Sequence, residues 1–148
     1  MIPDFDSRGL LPRGMFRATW KEIEKRFGGN RRRNQLLRGL REALDLLQGA
    51  GCRRVYIDGS FVTAKKSPND IDVCWDIDGV DPIALDSVFF DFSNGRAAQR
   101  ARFGAEFFPA QAPQRLKTFL DFFQIDKVTG RPKGIIELRL EGQENDKE

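Results

Sequence analysis

The sequence predicts an α/β domain in which a small mixed β-sheet carries helices mainly on one face. Three observations predict it. Two segments ahead of residue 50 show helical apolar spacing with capping residues at their starts, and residues 71–77 alternate apolar and polar as a strand does. The run Ile135–Leu140, IIELRL, is a further β-favouring segment near the end. With 148 residues, 40% of them hydrophobic, the chain suffices for one core and is short for two ordinary ones. Residues 1–140 are therefore read as one domain.

Residues 1–18, rich in Pro and Gly, read as an extended N-terminal arm. Thr19 followed by Glu22 forms a capping box for a first helix that runs to about Phe27 and buries Trp20, Ile23 and Phe27. Gly28 and Gly29 stop it. Asn30 caps a second helix with the stripe Leu36, Leu37, Leu40, Leu44 and Leu47, ended by Gly49 and Gly51. Arg31, Arg32 and Arg33 open that helix, where positive charge opposes the macrodipole. They either meet an anion or form a solvated charged face.

The informative stretch is Arg53 to Asp78, RRVYIDGSFVTAKKSPNDIDVCWDID. A short apolar strand, Val55–Ile57, runs to Gly59, where a backbone without Cβ turns sharply or approaches a ligand, and Ser60 adds a hydroxyl. A loop with Lys65, Lys66, Pro68 and Asn69 follows. In the next strand Ile71, Val73, Trp75 and Ile77 share one face, and Asp70, Asp72, Cys74, Asp76 and Asp78 the other. Asp70 and Asp72 stand roughly 7 Å apart by strand rise. Their hard oxygens suit Mg²⁺ (or Mn²⁺), and the loop lysines supply charge for a triphosphate. Taken singly, each feature also fits a plain turn and a solvated edge strand.

Beyond a turn at Gly79–Pro82, Ser87–Phe92 reads as a third strand, in which Asp91 among phenylalanines needs a partner or an open face. Between Ser93 and Gln111, Arg96, Arg100 and Arg102 lie near Phe103, Phe107 and Phe108. They either stack on a nucleotide or belong to a short helix with its phenylalanines turned inward. Pro113 suits the first turn of a helix using Leu116, Phe119, Leu120 and Phe123, and a hairpin of FLDFFQI with IIELRL is the alternative. Thr129–Pro132 is a turn, and residues 141–148 read as a disordered polar tail.

Composition excludes some chemistry. The chain has no histidine, which rules out His-based triads and His metal ligands but leaves carboxylate-held metal catalysis open. Cys52 and Cys74 lack metal-site spacing and read as buried thiols. The net charge of +3 is concentrated before Arg54 and does not imply a surface coated by nucleic acid. No apolar run reaches membrane length and the N-terminus lacks a signal-peptide pattern, so a cytoplasmic protein with no membrane partner is expected.

At Gly59, Ser60, Asp70, Ile71, Asp72 and Val73 the sequence resembles the nucleotidyltransferase superfamily, which includes polymerase β-type, CCA-adding and minimal bacterial nucleotidyltransferases. Their shared motif is Gly followed by Gly or Ser, about ten residues, then Asp, hydrophobic, Asp or Glu, hydrophobic. The layout from IPDFD through GSFVTAKKSPNDID to TGRPKGI also looks like bacterial and phage-associated proteins described as nucleotidyltransferase-like. The resemblance implies a nucleotidyltransferase-like fold and transfer of a nucleoside monophosphate from an NTP to an acceptor hydroxyl on tRNA or other RNA, a protein or a small molecule. It implies Asp70 and Asp72 as ligands of catalytic Mg²⁺, and Gly59 and Ser60, with Lys65 or Lys66, as phosphate-binding. It implies a third acid on a neighbouring strand, for which Asp91 is the candidate and Asp86 the fallback. A toxin–antitoxin or phage-defence setting, with a cognate toxin or antitoxin partner, follows by analogy. Two departures, Asp58 where an apolar residue is usual and Thr63 where many minimal members carry Arg, favour the alternative of an inactive binding module. An RNA-binding protein using the basic N-terminal half is a third reading.

Overall fold

The computed structural model describes residues 1–114 and 117–140. It is a mixed α and β structure: a five-stranded sheet, four helices and a two-stranded ribbon. The strands of the main sheet are β1 (Gly14–Arg17), β2 (Arg54–Asp58), β3 (Ile71–Trp75), β4 (Ala105–Pro109) and β7 (Gly134–Arg139). Their order across the sheet is β1-β7-β2-β3-β4. The two outer pairs, β1 with β7 and β3 with β4, are parallel, whereas β2 is antiparallel to both its neighbours.

Alternation along each strand sorts the sheet into two faces. One face, with Val55, Ile57, Ile71, Val73, Phe107, Ile136 and Leu138, joins the main core beneath the helices α1 (Trp20–Phe27) and α2 (Arg31–Gly49). The Thr19–Glu22 capping box starts α1 as expected, and Asn30 caps α2 by accepting the Arg33 backbone N–H at 2.8 Å. The predicted stripe of α2, Leu36 to Leu47, is buried. Gly39 lets α3 (Ser93–Phe103) come close, because a Cβ there would stand 2.0 Å from the Phe103 carbonyl oxygen. Cys52 and Cys74 are buried as predicted, and burial pushes the Cys52 thiol up to about 11.

The opposite face is divided. Over one half, Tyr56, Cys74, Phe108 and Ile135 pack with Phe123 from the segment that follows β4, so this half is apolar. The other half carries acids.

Four expectations need correction. Ser87–Phe92 is not a strand: Ser87–Phe90 forms a 3-10 turn because the Asp86 carboxylate accepts the Val88 N–H at 3.0 Å, and Phe89 plugs the core. The strand beside β3 is instead β4, whose period-two burial of Ala105 and Phe107 was concealed by a neighbouring pair of phenylalanines facing opposite ways. The segment at Pro113 opens a ribbon, β5 (Pro113–Gln114) with β6 (Lys117–Thr118), before a single turn α4 (Phe119–Phe122) capped by Thr118. Leu116 lies outside the described residues, as does the predicted tail. The hairpin alternative also fails, since β7 pairs with β1 and β2 and only Ile125 and Pro132 form a bridge. Lastly, the arm is not extended throughout: a turn closes between Asp6 and Leu10, while Gly14–Arg17 keeps an extended path as an edge strand on β7, Leu11 is buried, and Phe5 lies against Phe27 under the Arg26 guanidinium.

Candidate functional site: an acid row at the glycine turn

Register places three carboxylates side by side on one face. Asp58 at the end of β2 is opposite Asp72 on β3, and Asp72 is opposite Glu106 on β4. Directly opposed residues on adjacent strands have Cβ atoms about 5 Å apart, where like charges repel. Asp70 precedes β3 by one residue and stands half-buried at the mouth of a groove of about 740 Å³ between α2 and α3.

Each acid is compensated differently. Asp58 is buried and accepts two contacts from the Lys133 ammonium, at 2.8 and 3.0 Å; burial raises its carboxyl pKa and Lys133 opposes the rise. Glu106 pairs with Arg100 at 3.1 Å. Asp72 has no cation within ion-pair distance among the described residues. Burial, then the charges of Asp70, Asp58 and Glu106, push it up to about 7. A carboxylate held by its fold among other carboxylates is a site that a cation would relieve.

The glycine turn closes on this acid. Gly59 has φ +84°, a backbone that favours glycine, and a Cβ there would lie 2.8 Å from Asp72 Oδ2. Ser60 follows at the start of a 3-10 turn whose carbonyl accepts the Thr63 hydroxyl at 2.6 Å. Gly59 and the Asp72 carboxylate are thus adjacent.

The loop between the turn and β3 is held by Asn30, Arg32 and Arg33, so the two latter arginines neither meet an anion nor form a merely solvated face. Arg33 is buried, 7% exposed, and its guanidinium donates to the carbonyls of Phe27, Phe61, Thr63 and Lys65 at 2.6–2.9 Å. Arg32 donates to Pro68 O at 3.0 Å and to Asn69 O, and Asn30 Nδ2 donates to Lys66 O at 2.9 Å. So the N-terminus of α2 fixes the path of residues 63–69. Lys65 and Lys66 are held by their carbonyls, with exposed side chains.

The structure does not bring Asp91 to the acid row. Its carboxylate accepts the Ser93 N–H and hydroxyl, which hold its pKa below the usual range, and it is absent from the charges acting on Asp72. Asp86 caps the 3-10 turn and pairs with Arg102 at 2.7 Å. Glu106, unremarked in the sequence, occupies the third place because β4, not Ser87–Phe92, flanks β3. The cations near the row were missed too. Lys133 falls between the predicted turn, Thr129–Pro132, and the strand from Ile135, and Lys127 acts on both Asp58 and Asp72. Arg96 lies on this face as well, close enough for Glu106 and Asp72 to act on it.

Among the described residues, no three acids or thiols converge closely enough to enclose a metal ion by themselves. The donor set nevertheless suits Mg²⁺ or Mn²⁺, which take one or two carboxylates and complete their shell with water and substrate phosphates. Among the described residues, no helix is long and apolar enough to cross a membrane.

Residues 3–139 match the model of a family of unknown function, DUF6932, and the chain belongs to that family. No curated protein and no solved structure matches it.

Proposed function

We propose that this member of the family is a metal-dependent nucleotidyltransferase that moves a nucleoside monophosphate from an NTP to an acceptor hydroxyl. The observation that carries the reading is the wedging of Asp72 against Gly59, in register with Glu106 and two residues after Asp70. That arrangement puts a tight backbone turn, able to approach a phosphate chain, beside Asp72, which has no ion-pair partner among the described residues.

Asp70 and Asp72 would hold a divalent ion, which when bound draws charge off the phosphate oxygens and the attacking hydroxyl. Gly59 and Ser60 seat the β- and γ-phosphates. The acceptor oxygen forms a bond to the α-phosphorus, the bond from that phosphorus to the bridging oxygen breaks, and pyrophosphate leaves. Glu106, on the β4 side of the row, is the carboxylate placed to receive the acceptor's proton. Lys133 and Lys127 keep the neighbouring Asp58 from adding its full charge to a site that must accept a polyanion.

A second reading, a nucleotide- or protein-binding module without turnover, is favoured by the buried Asp58–Lys133 pair beside the row. Pyrophosphate release from each of the four NTPs with Mg²⁺, measured for wild type and for the Asp70→Asn/Asp72→Asn double variant, separates the two. Transfer predicts release by wild type alone. Nucleotide binding without pyrophosphate from either protein would leave only the module.

A further inference from the structure

Arg96 is held in a way that its packing alone does not explain. It is the last of three consecutive residues in the left-handed region, Asn94 (φ 51°), Gly95 (φ 61°) and Arg96 (φ 63°), at the start of α3. Asn94 and Arg96 are the only non-glycine residues with positive φ among the described residues. Side-chain-bearing residues are strained there, and such strain persists where the surroundings impose it, often at binding sites. The result of this backbone is a fixed guanidinium. Its carbon lies 3.9 Å from the centre of the Phe108 ring, 4.6 Å from that of Phe92 and 5.7 Å from that of Phe119. Nε donates to the Phe107 carbonyl at 3.1 Å, which sets the plane of the fork.

The remaining donors are what matters. Nη1 and Nη2 meet no acceptor among the described residues, although the group is partly withdrawn from water. Glu106 and Asp72 are near enough to act on Arg96 electrostatically, yet neither pairs with it, and Glu106 is engaged by Arg100 instead. A planar fork with four free N–H donors, fastened by aromatic rings and one carbonyl beside an acid row, is built to receive an oxyanion from the open side. Neutral ligands would leave the charge uncompensated, and a carboxylate from the row is not placed to serve.

We infer that Arg96 forms an oxyanion site for a phosphate group of the ligand bound over the acid row, gripping two of its non-bridging oxygens. The identity of that phosphate's owner rests on the transferase reading; the site itself does not. Phe92, at the edge of the same cluster, is 45% exposed, and Arg96 itself is only partly buried, so the cluster reaches the protein surface.

The test uses inorganic pyrophosphate as the probe, by titration calorimetry without metal. Four proteins are compared: wild type, Arg96→Gly, Arg96→Lys and Asp72→Asn. Glycine suits the left-handed backbone, so Arg96→Gly removes the side chain without adding strain. Expected are a loss of about tenfold or more in affinity for Arg96→Gly and a smaller loss for Arg96→Lys, which keeps the charge but not the fork. Asp72→Asn should bind at least as tightly as wild type, since one repelling carboxylate is gone. Equal binding by wild type and Arg96→Gly, full affinity in Arg96→Lys, or no binding by wild type would each overturn the site. Binding that depends on Arg96 in a protein without NTP turnover would count against the transferase reading alone. Turnover unaffected by Arg96→Gly would count against this site alone.

Discussion

Asp72→Asn is expected to make the metal-free protein more stable than wild type at about pH 8 and, under the proposed function, to lower nucleotidyl transfer on the order of 10³-fold or more. The stability effect follows from position. The folded protein holds the Asp72 carboxyl at about 7, while the unfolded chain has it near the ordinary carboxylate value. Between those values the native state keeps a proton that the unfolded state has lost. Stability therefore falls as pH rises from about 4 to 7 and levels off above. The half-buried group limits the loss to roughly 2 to 4 kcal/mol. Asparagine keeps the shape and removes the charge, so the variant's stability should vary less across that window. Urea unfolding of both proteins at several pH values measures it. Parallel curves would show that Asp72 is adequately compensated in the free protein, and the case for a cation there would weaken.

Arg33→Ala is expected to destabilise the fold by about 4 kcal/mol. Its guanidinium is buried without a carboxylate, and four backbone carbonyls share its donors while the Phe61 ring lies 5.3 Å away. Removing it strands carbonyls that the loop has no other means to satisfy, each at a cost of about 1–3 kcal/mol offset by entry of water. Arg33→Lys should recover only part, because an ammonium cannot reach four acceptors at once. Hydrogen exchange should report faster opening of residues 63–70 in both variants. A loss under about 1 kcal/mol in Arg33→Ala would mean that the loop finds its path without the arginine.

What could be read from the chain divides by the range of the signal. The helices α1 and α2 were legible because their caps and apolar stripes are local, and so were the faces of β3. The turn at Gly59 was legible for the same reason. Glu106 was not, since its role depends on which strand lies beside β3, and that pairing is set by the packing of Phe89, Phe103 and Phe107 across α3 and the core. Asp91 was singled out on a strand pattern that an Asx-type turn at Asp86 outcompeted. Lys133 and Arg96 escaped for a related reason: the one reaches Asp58 across 75 positions of sequence, and the other owes its direction to a left-handed backbone that no periodicity announces. Arg33 is the reverse case. Its place in a run of three arginines suggested solvent, whereas carbonyls without amide partners drew it inside.

The most direct measurement is anomalous diffraction from crystals grown with Mn²⁺ and a non-hydrolysable NTP analogue. The account predicts manganese at about 2.2 Å from carboxylate oxygens of Asp70 and Asp72, with the analogue's phosphates against the backbone of Gly59 and Ser60. Nucleotide bound elsewhere, or at that turn with no metal on either aspartate, would contradict it.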